Sequence, residues 1–104
     1  MFAGGSYEEV ARWLRVFLNS HAKRENPRIE AIVETGDERT GKSFGVRLRL
    51  DERYDPPLDR PAVEFSLQEV SAGKGSFPWC DALGTRVRGW AREICSGERP
   101  SESA

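Results

Sequence analysis

The sequence predicts an α+β fold, a two-layer α-β-β-β-α domain in which a three-stranded antiparallel meander carries two helices packed on one face. Three observations predict it. Apolar residues recur at helical spacing in an early and a late segment of the 104-residue chain, they alternate at period two through the middle, and glycine- and proline-rich joints separate the segments. At 38% apolar and 10% aromatic residues, the chain has material for one compact core and too little length for two ordinary domains.

The first element opens at Ser6, followed three residues later by Glu9 in an S-x-x-E capping box. The Ser6 hydroxyl can accept from the Glu9 amide while the Glu9 carboxylate reaches back to the Ser6 amide. Glu8 and Glu9 also suit the positive end of the helix dipole. Tyr7, Val10, Leu14, Phe17 and His21 recur at intervals of three or four, with Ala11, Trp13 and Leu18 widening the stripe, and predict a helix over Tyr7–Lys23. Arg12, Arg15 and Asn19 fall on its opposite face. Asn26-Pro27 ends it, because the residue before proline is pushed out of helical geometry.

From Arg28 to Thr35 the period changes to two, with Ile29, Ala31 and Val33 on one side. The polar, glycine-bounded stretch Gly36–Gly41 reads as the loop of a hairpin. Phe44, Val46, Leu48 and Leu50 alternate with Gly45, Arg47, Arg49 and Asp51 and give the cleanest strand signal. Residues Asp51–Pro61, with Pro56-Pro57 and Pro61, read as an irregular loop, and Val63, Phe65 and Leu67 alternate with Glu64, Ser66 and Gln68 as a third strand. Ser71–Ser76 reads as a flexible connection. Ser76 then N-caps a second helix with Pro78 in its first turn, and Cys80, Leu83, Val87, Trp90 and Ile94 form its apolar stripe. The expected organisation is a disordered start over 1–5, one domain over 6–96 and a disordered tail over 97–104.

Composition narrows the function classes. No apolar run reaches the roughly 18 residues of a membrane span, and Met1-Phe2-Ala3-Gly4-Gly5 lacks a secretory pattern, so a cytoplasmic setting is expected. Cys80 and Cys95 stand about 22 Å apart along one helix and form no CxxC pair, which suits a reducing compartment. Sixteen basic against seventeen acidic side chains leave a net charge of −1, so any nucleic-acid binding needs a local patch.

Three surfaces are candidates. The open sheet face should show Arg28, Glu30, Ile32 and Glu34, Arg47 and Arg49, and Glu64, Ser66 and Gln68 from its three strands, either as cross-strand charge pairs or as a partner-binding face centred on Arg47 and Arg49. The backbone of Gly73 and Gly75, the Lys74 ammonium and the Ser76 helix start could hold a phosphate or carboxylate, extended by Arg86, Arg88 and Arg92. The stretch has no Walker spacing. Trp79, beside Phe77 and Pro78, could anchor a protein partner or cap the core.

Chemistry has few carriers. A Cys80–His21 nucleophile pair needs the fold to bring the two together. Asp51, Glu52, Asp55 and Asp59 are interrupted by Arg53 and Arg60 and lack a calcium-loop pattern. Two cysteines and one histidine fall one short of a structural zinc site. No cofactor is indicated.

The element order and size are similar to those of double-stranded-RNA-binding domains. That family grips phosphates with lysines clustered at the start of its second helix, where this chain has Phe77-Pro78-Trp79-Cys80-Asp81. The likeness is therefore one of topology, which implies little about function. The reading reached is a small non-enzymatic interaction or adaptor domain that binds a protein partner or itself, through an exposed strand edge or the Trp79 region. The alternative is nucleic-acid binding through the 71–76 loop and the second helix.

Overall fold

Helix α1 spans Tyr7–Glu25 in the computed structural model, which describes residues 6–96; the expectations for 1–5 and 97–104 lie outside the described residues. Its capping box forms as expected, with Glu9 N–H donating to Ser6 Oγ at 3.2 Å and Ser6 N–H to Glu9 Oε1 at 3.2 Å. Asn26, extended at φ −161° and ψ 115°, closes the helix before Pro27. Strands β1 (Ile29–Glu34) and β2 (Ser43–Leu50) pair antiparallel with Ile29 opposite Leu50 and Val33 opposite Val46. A single 3-10 turn at Asp37–Arg39 lies in the hairpin loop.

The region read as an irregular loop contains a strand. β3 (Arg53–Asp55) pairs with the end of β2, Leu50 opposite Arg53 and Leu48 opposite Asp55. Pro56 and Pro57 then carry no amide hydrogen for the ladder, so pairing stops there. The chain returns as β4 (Val63–Ser66), which pairs with the first half of β2, Ser43 opposite Ser66 and Val46 opposite Val63. Because β1 covers one edge of β2, β3 and β4 share the other edge, and the third lane of the meander is one strand interrupted by a proline excursion.

The third strand also ends sooner than its alternation implies. Ser66 starts helix α2 (Leu67–Gly73) with a second capping box, Glu69 N–H donating to Ser66 Oγ at 2.9 Å. The flexible connection expected at Ser71–Ser76 is thus the end of α2, a two-residue turn at Lys74-Gly75 and the Ser76 cap of helix α3 (Phe77–Ser96). Trp79 N–H donates to Ser76 Oγ at 3.4 Å.

The predicted α+β architecture is present. Core-facing residues Phe44, Val46, Leu48 and Leu50 of β2 meet Val10, Leu14 and Leu18 of α1 and Leu83, Val87 and Ile94 of α3 in one cluster. Each such fully buried Leu or Val contributes about 1.5–3 kcal/mol. On the same side, β3 ties α3 to the sheet: Arg53 donates to the Ile94 carbonyl at 3.1 Å, and Trp90 Nε1 donates to Asp55 Oδ2 at 2.9 Å. Among the described residues, no helix is long and apolar enough to cross a membrane.

Candidate interaction surface

The open sheet face is a closed network of ion pairs. Arg49 meets Glu30, directly opposite it in the ladder, at 2.6 Å, and Arg47 reaches Glu34 diagonally at 2.7 Å. Arg39, from the hairpin loop, lies across Gly45, where no side chain stands in its way, and bridges Glu64 at 2.6 Å and Glu34 at 3.6 Å. The Glu64 hydrogen bond holds the Arg39 pKa above its ordinary value.

Arg47 is not the accessible centre expected of a binding face. It is only 6% exposed, because the proline excursion folds over it and the Pro56 and Pro57 carbonyls accept from its Nη1 at 3.0 and 2.6 Å. Its place opposite the gap between β3 and β4 explains this: with no strand alongside, the guanidinium satisfies the carbonyls of the excursion. Arg49 remains half-exposed.

The outer edge of β1, one of the strand edges expected to be open for self-association, is partly covered by α1. Asn19 Oδ1 accepts from Ala31 N–H at 2.9 Å, and Lys23 Nζ donates to the Ile29 carbonyl at 2.8 Å. One helical turn of four residues rises about 6 Å, close to the roughly 6.6 Å of two strand residues, so successive turns of α1 cover successive outward groups of β1. Ala31 is 2% exposed and Val33 9%, so β1 offers little apolar side-chain surface along this edge.

The anion candidates do not converge either. Gly73 is buried in α2, and a Cβ there would lie 2.2 Å from the Trp79 indole, so this glycine makes room for a ring rather than for a phosphate. Lys74 caps α2, its amide donating to the Val70 carbonyl at 2.8 Å, while Gly75 is exposed and Ser76 is spent on α3. The arginines of α3 divide between two sides of the helix. Arg86 lies over the Phe65 ring at 5.6 Å, facing β4, whereas Arg92 pairs with Glu25 of α1 at 3.4 Å and Arg88 folds back onto the Gly84 carbonyl at 3.3 Å.

The aromatic residues do converge. Trp13 stacks on Phe17 at 5.0 Å, Phe17 meets His21 at 4.6 Å, and Trp79 of α3 lies against Trp13 at 6.4 Å, so a row of rings runs along the seam between α1 and α3. All four are partly exposed. Val16, on the same flank of α1 as Trp13, is 63% exposed, and Phe77 at the start of α3 is 79% exposed. Trp79 therefore caps the helix layer and still offers an edge to solvent. Spacing alone puts Trp13 and Phe17 in the core stripe, whereas packing leaves both partly exposed. The signal of an outward apolar patch is Val16, which falls off that stripe and onto the polar face.

His21 sits at the inner end of this row with Nδ1 buried and unpartnered. Burial, followed by the charges of Arg88 and Arg24, lowers its pKa from the ordinary value of 6.5. The fold does not join it to Cys80, whose thiol instead points to the Gly73 and Lys74 carbonyls at 3.6 and 3.8 Å. Cys95 accepts from Asn26 Nδ2 at 3.6 Å. Of the loop carboxylates, Asp51 pairs with Arg28 and Asp55 with Trp90, and no group of three potential ligands gathers among the described residues.

Compared with family models, curated proteins and solved structures, the chain matches none.

Proposed function

We propose that this chain is a small non-catalytic interaction domain, working in a reducing cytoplasmic setting, whose protein-binding surface is the aromatic flank of α1 and α3. The observation that carries the reading is the partly exposed row Trp79, Trp13 and Phe17 with Val16 beside it. Aromatic side chains lose little conformational entropy when covered and concentrate binding energy in well-packed contacts. The polar alternatives are already occupied: the sheet arginines pair with glutamates, and the α3 arginines face apart. Phe77, 79% exposed at the start of α3, stays available as a peripheral contact.

Nucleic-acid binding through Lys74, Arg86, Arg88 and Arg92 would need these cations on one surface, and the division of Arg86 from Arg88 and Arg92 speaks against it. A photo-crosslinking side chain placed at Val16, and separately at Gln68 beyond the flank, tests the proposal in cell extract. Adducts of discrete mass from Val16, absent from Gln68 and persisting in high salt, are expected. Equal labelling from both positions, or none from Val16, would overturn the reading.

A further inference from the structure

Lys23 and Asn19 of α1 bond the outer edge of β1 at Ile29 and Ala31, four helix residues for two strand residues. Continued at that spacing, the match places Arg15 beside Val33 and the Ala11-Arg12 pair beside Thr35. The bonding, however, stops at Asn19. Among the described residues, the guanidinium groups of Arg12 and Arg15, the Glu8 carboxylate and the Thr35 N–H have no hydrogen-bond or ion-pair partner. These groups line instead a cleft of about 290 Å³ between the first half of α1 and the hairpin loop, walled on the loop side by Thr35, Gly36 and Thr40. That volume is close to the lower end for small-ligand sites. Gly36 stands at φ 101° with nothing within 4 Å of where its Cβ would lie, so the loop wall is open backbone.

We infer that this cleft binds a carboxylate, which accepts from Arg12 and Arg15 on the helix side and from the Thr35 N–H and the Thr35 and Thr40 hydroxyls on the loop side. The two arginines stand one turn apart on the same face of α1, and a planar guanidinium fork matches a planar carboxylate. Of the lining residues, Arg12 and Arg15 against Glu8 leave one net positive charge. This balance suits a singly charged acid and opposes the second charge of a phosphate. Glu8 sets the orientation, because it repels the carboxylate and accepts from an amine or amide N–H of the ligand. Trp13 and Phe17, each two residues from Arg15, lie nearly opposite it on the helix. The carboxylate site therefore stands apart from the aromatic row and does not depend on it.

Amide NMR of the labelled full chain at constant ionic strength tests the site with propionate, with acetyl-trialanine ending in a free carboxylate, with the C-terminal amide of the same tripeptide, and with inorganic phosphate. Propionate or acetyl-trialanine should shift the Thr35, Gly36 and Thr40 amides to saturation, and the tripeptide amide should not. The tighter of the two acids distinguishes a small free acid from a peptide end as the source of the carboxylate. Arg12→Gln and Arg15→Gln should each weaken binding by about tenfold, while Arg24→Gln, at an exposed arginine of α1 outside the cleft, should leave it unchanged. Arg12 and Arg15 are exposed, and the unchanged remainder of the spectrum shows that each variant is folded. No saturable shift from either acid, equal shifts from the tripeptide amide, or indifference to both cleft variants overturns the inference. Saturation by phosphate in place of the acids overturns it as well, leaving a site for another class of anion.

Discussion

Gly84 of α3 lies directly beneath the His21 imidazole of α1, so close that a Cβ at Gly84 would come 2.7 Å from His21 Cε1. The contact sets how near the two helices approach and holds the inner end of the aromatic row. Glycine costs helix stability intrinsically, by about 1 kcal/mol relative to alanine. At this position the cost is offset by the close packing it permits.

Gly84→Ala should therefore destabilise the fold by about 1–3 kcal/mol, the overpacking strain exceeding the gain in helix propensity. Gly89→Ala is the matched control in the same helix: nothing lies within 4 Å of its added Cβ. That variant should gain about 0.5–1 kcal/mol. Urea melts of the two measure the difference in sign.

Acid should weaken the fold through His21. Its folded pKa is lowered, by burial first and then by Arg88 and Arg24, below the ordinary 6.5. Between those two values the unfolded chain takes up a proton that the folded chain refuses, so stability present above about pH 6.5 falls as pH drops toward the folded pKa. In His21→Phe that step should vanish from the urea midpoint measured against pH.

Arg47 and Arg49, two residues apart on one strand, should differ in energetic weight. Arg47→Ala removes the guanidinium of a 6% exposed residue from two carbonyls of the proline excursion and from Glu34, which keeps only Arg39 at 3.6 Å, and a loss of about 1–3 kcal/mol is expected. Arg49→Ala breaks a pair whose side chains are 41% and 51% exposed, and should cost about 0–1 kcal/mol. Thermal or denaturant unfolding distinguishes the two.

Ser66→Ala should cost about 1 kcal/mol by removing the α2 cap. Because α2 ends at Gly73, against which the Trp79 ring lies, its fraying should also speed amide exchange at Val70 and Lys74. Unchanged exchange there would show that the Trp79 contact holds α2 without its cap.

Both long helices and the β1–β2 hairpin are legible in the sequence because each carries a local signal that tertiary structure reinforces: a capping box at Ser6, clean alternation from Phe44 to Leu50, and glycine at the hairpin joint. β3 is less legible, since three residues followed by Pro56-Pro57 carry no period, and its pairing depends on β2 being alongside. α2 had a signal. Ser66-Leu67-Gln68-Glu69 has the same S-x-x-E form as Ser6–Glu9, but Leu67 continues the strand alternation and hides the change of period. The aromatic flank is only half legible: Trp79 stands out beside Phe77, whereas its meeting with Trp13 is a contact between distant segments that only the packing of α1 against α3 creates. The burial of Arg47 is of the same kind, fixed by a loop that closes over it.

The most direct test of the aromatic flank as the working surface is an amide NMR series on the labelled full chain, recorded with unlabelled cell extract added and again with short double-stranded RNA at low salt. Shifts or broadening gathered on Trp13, Val16, Phe17 and Trp79 in extract, with no RNA response, are the predicted result. RNA-induced shifts running through Lys74, Gly75, Arg86 and Arg88 and fading with salt, with the aromatic flank silent throughout, would contradict it.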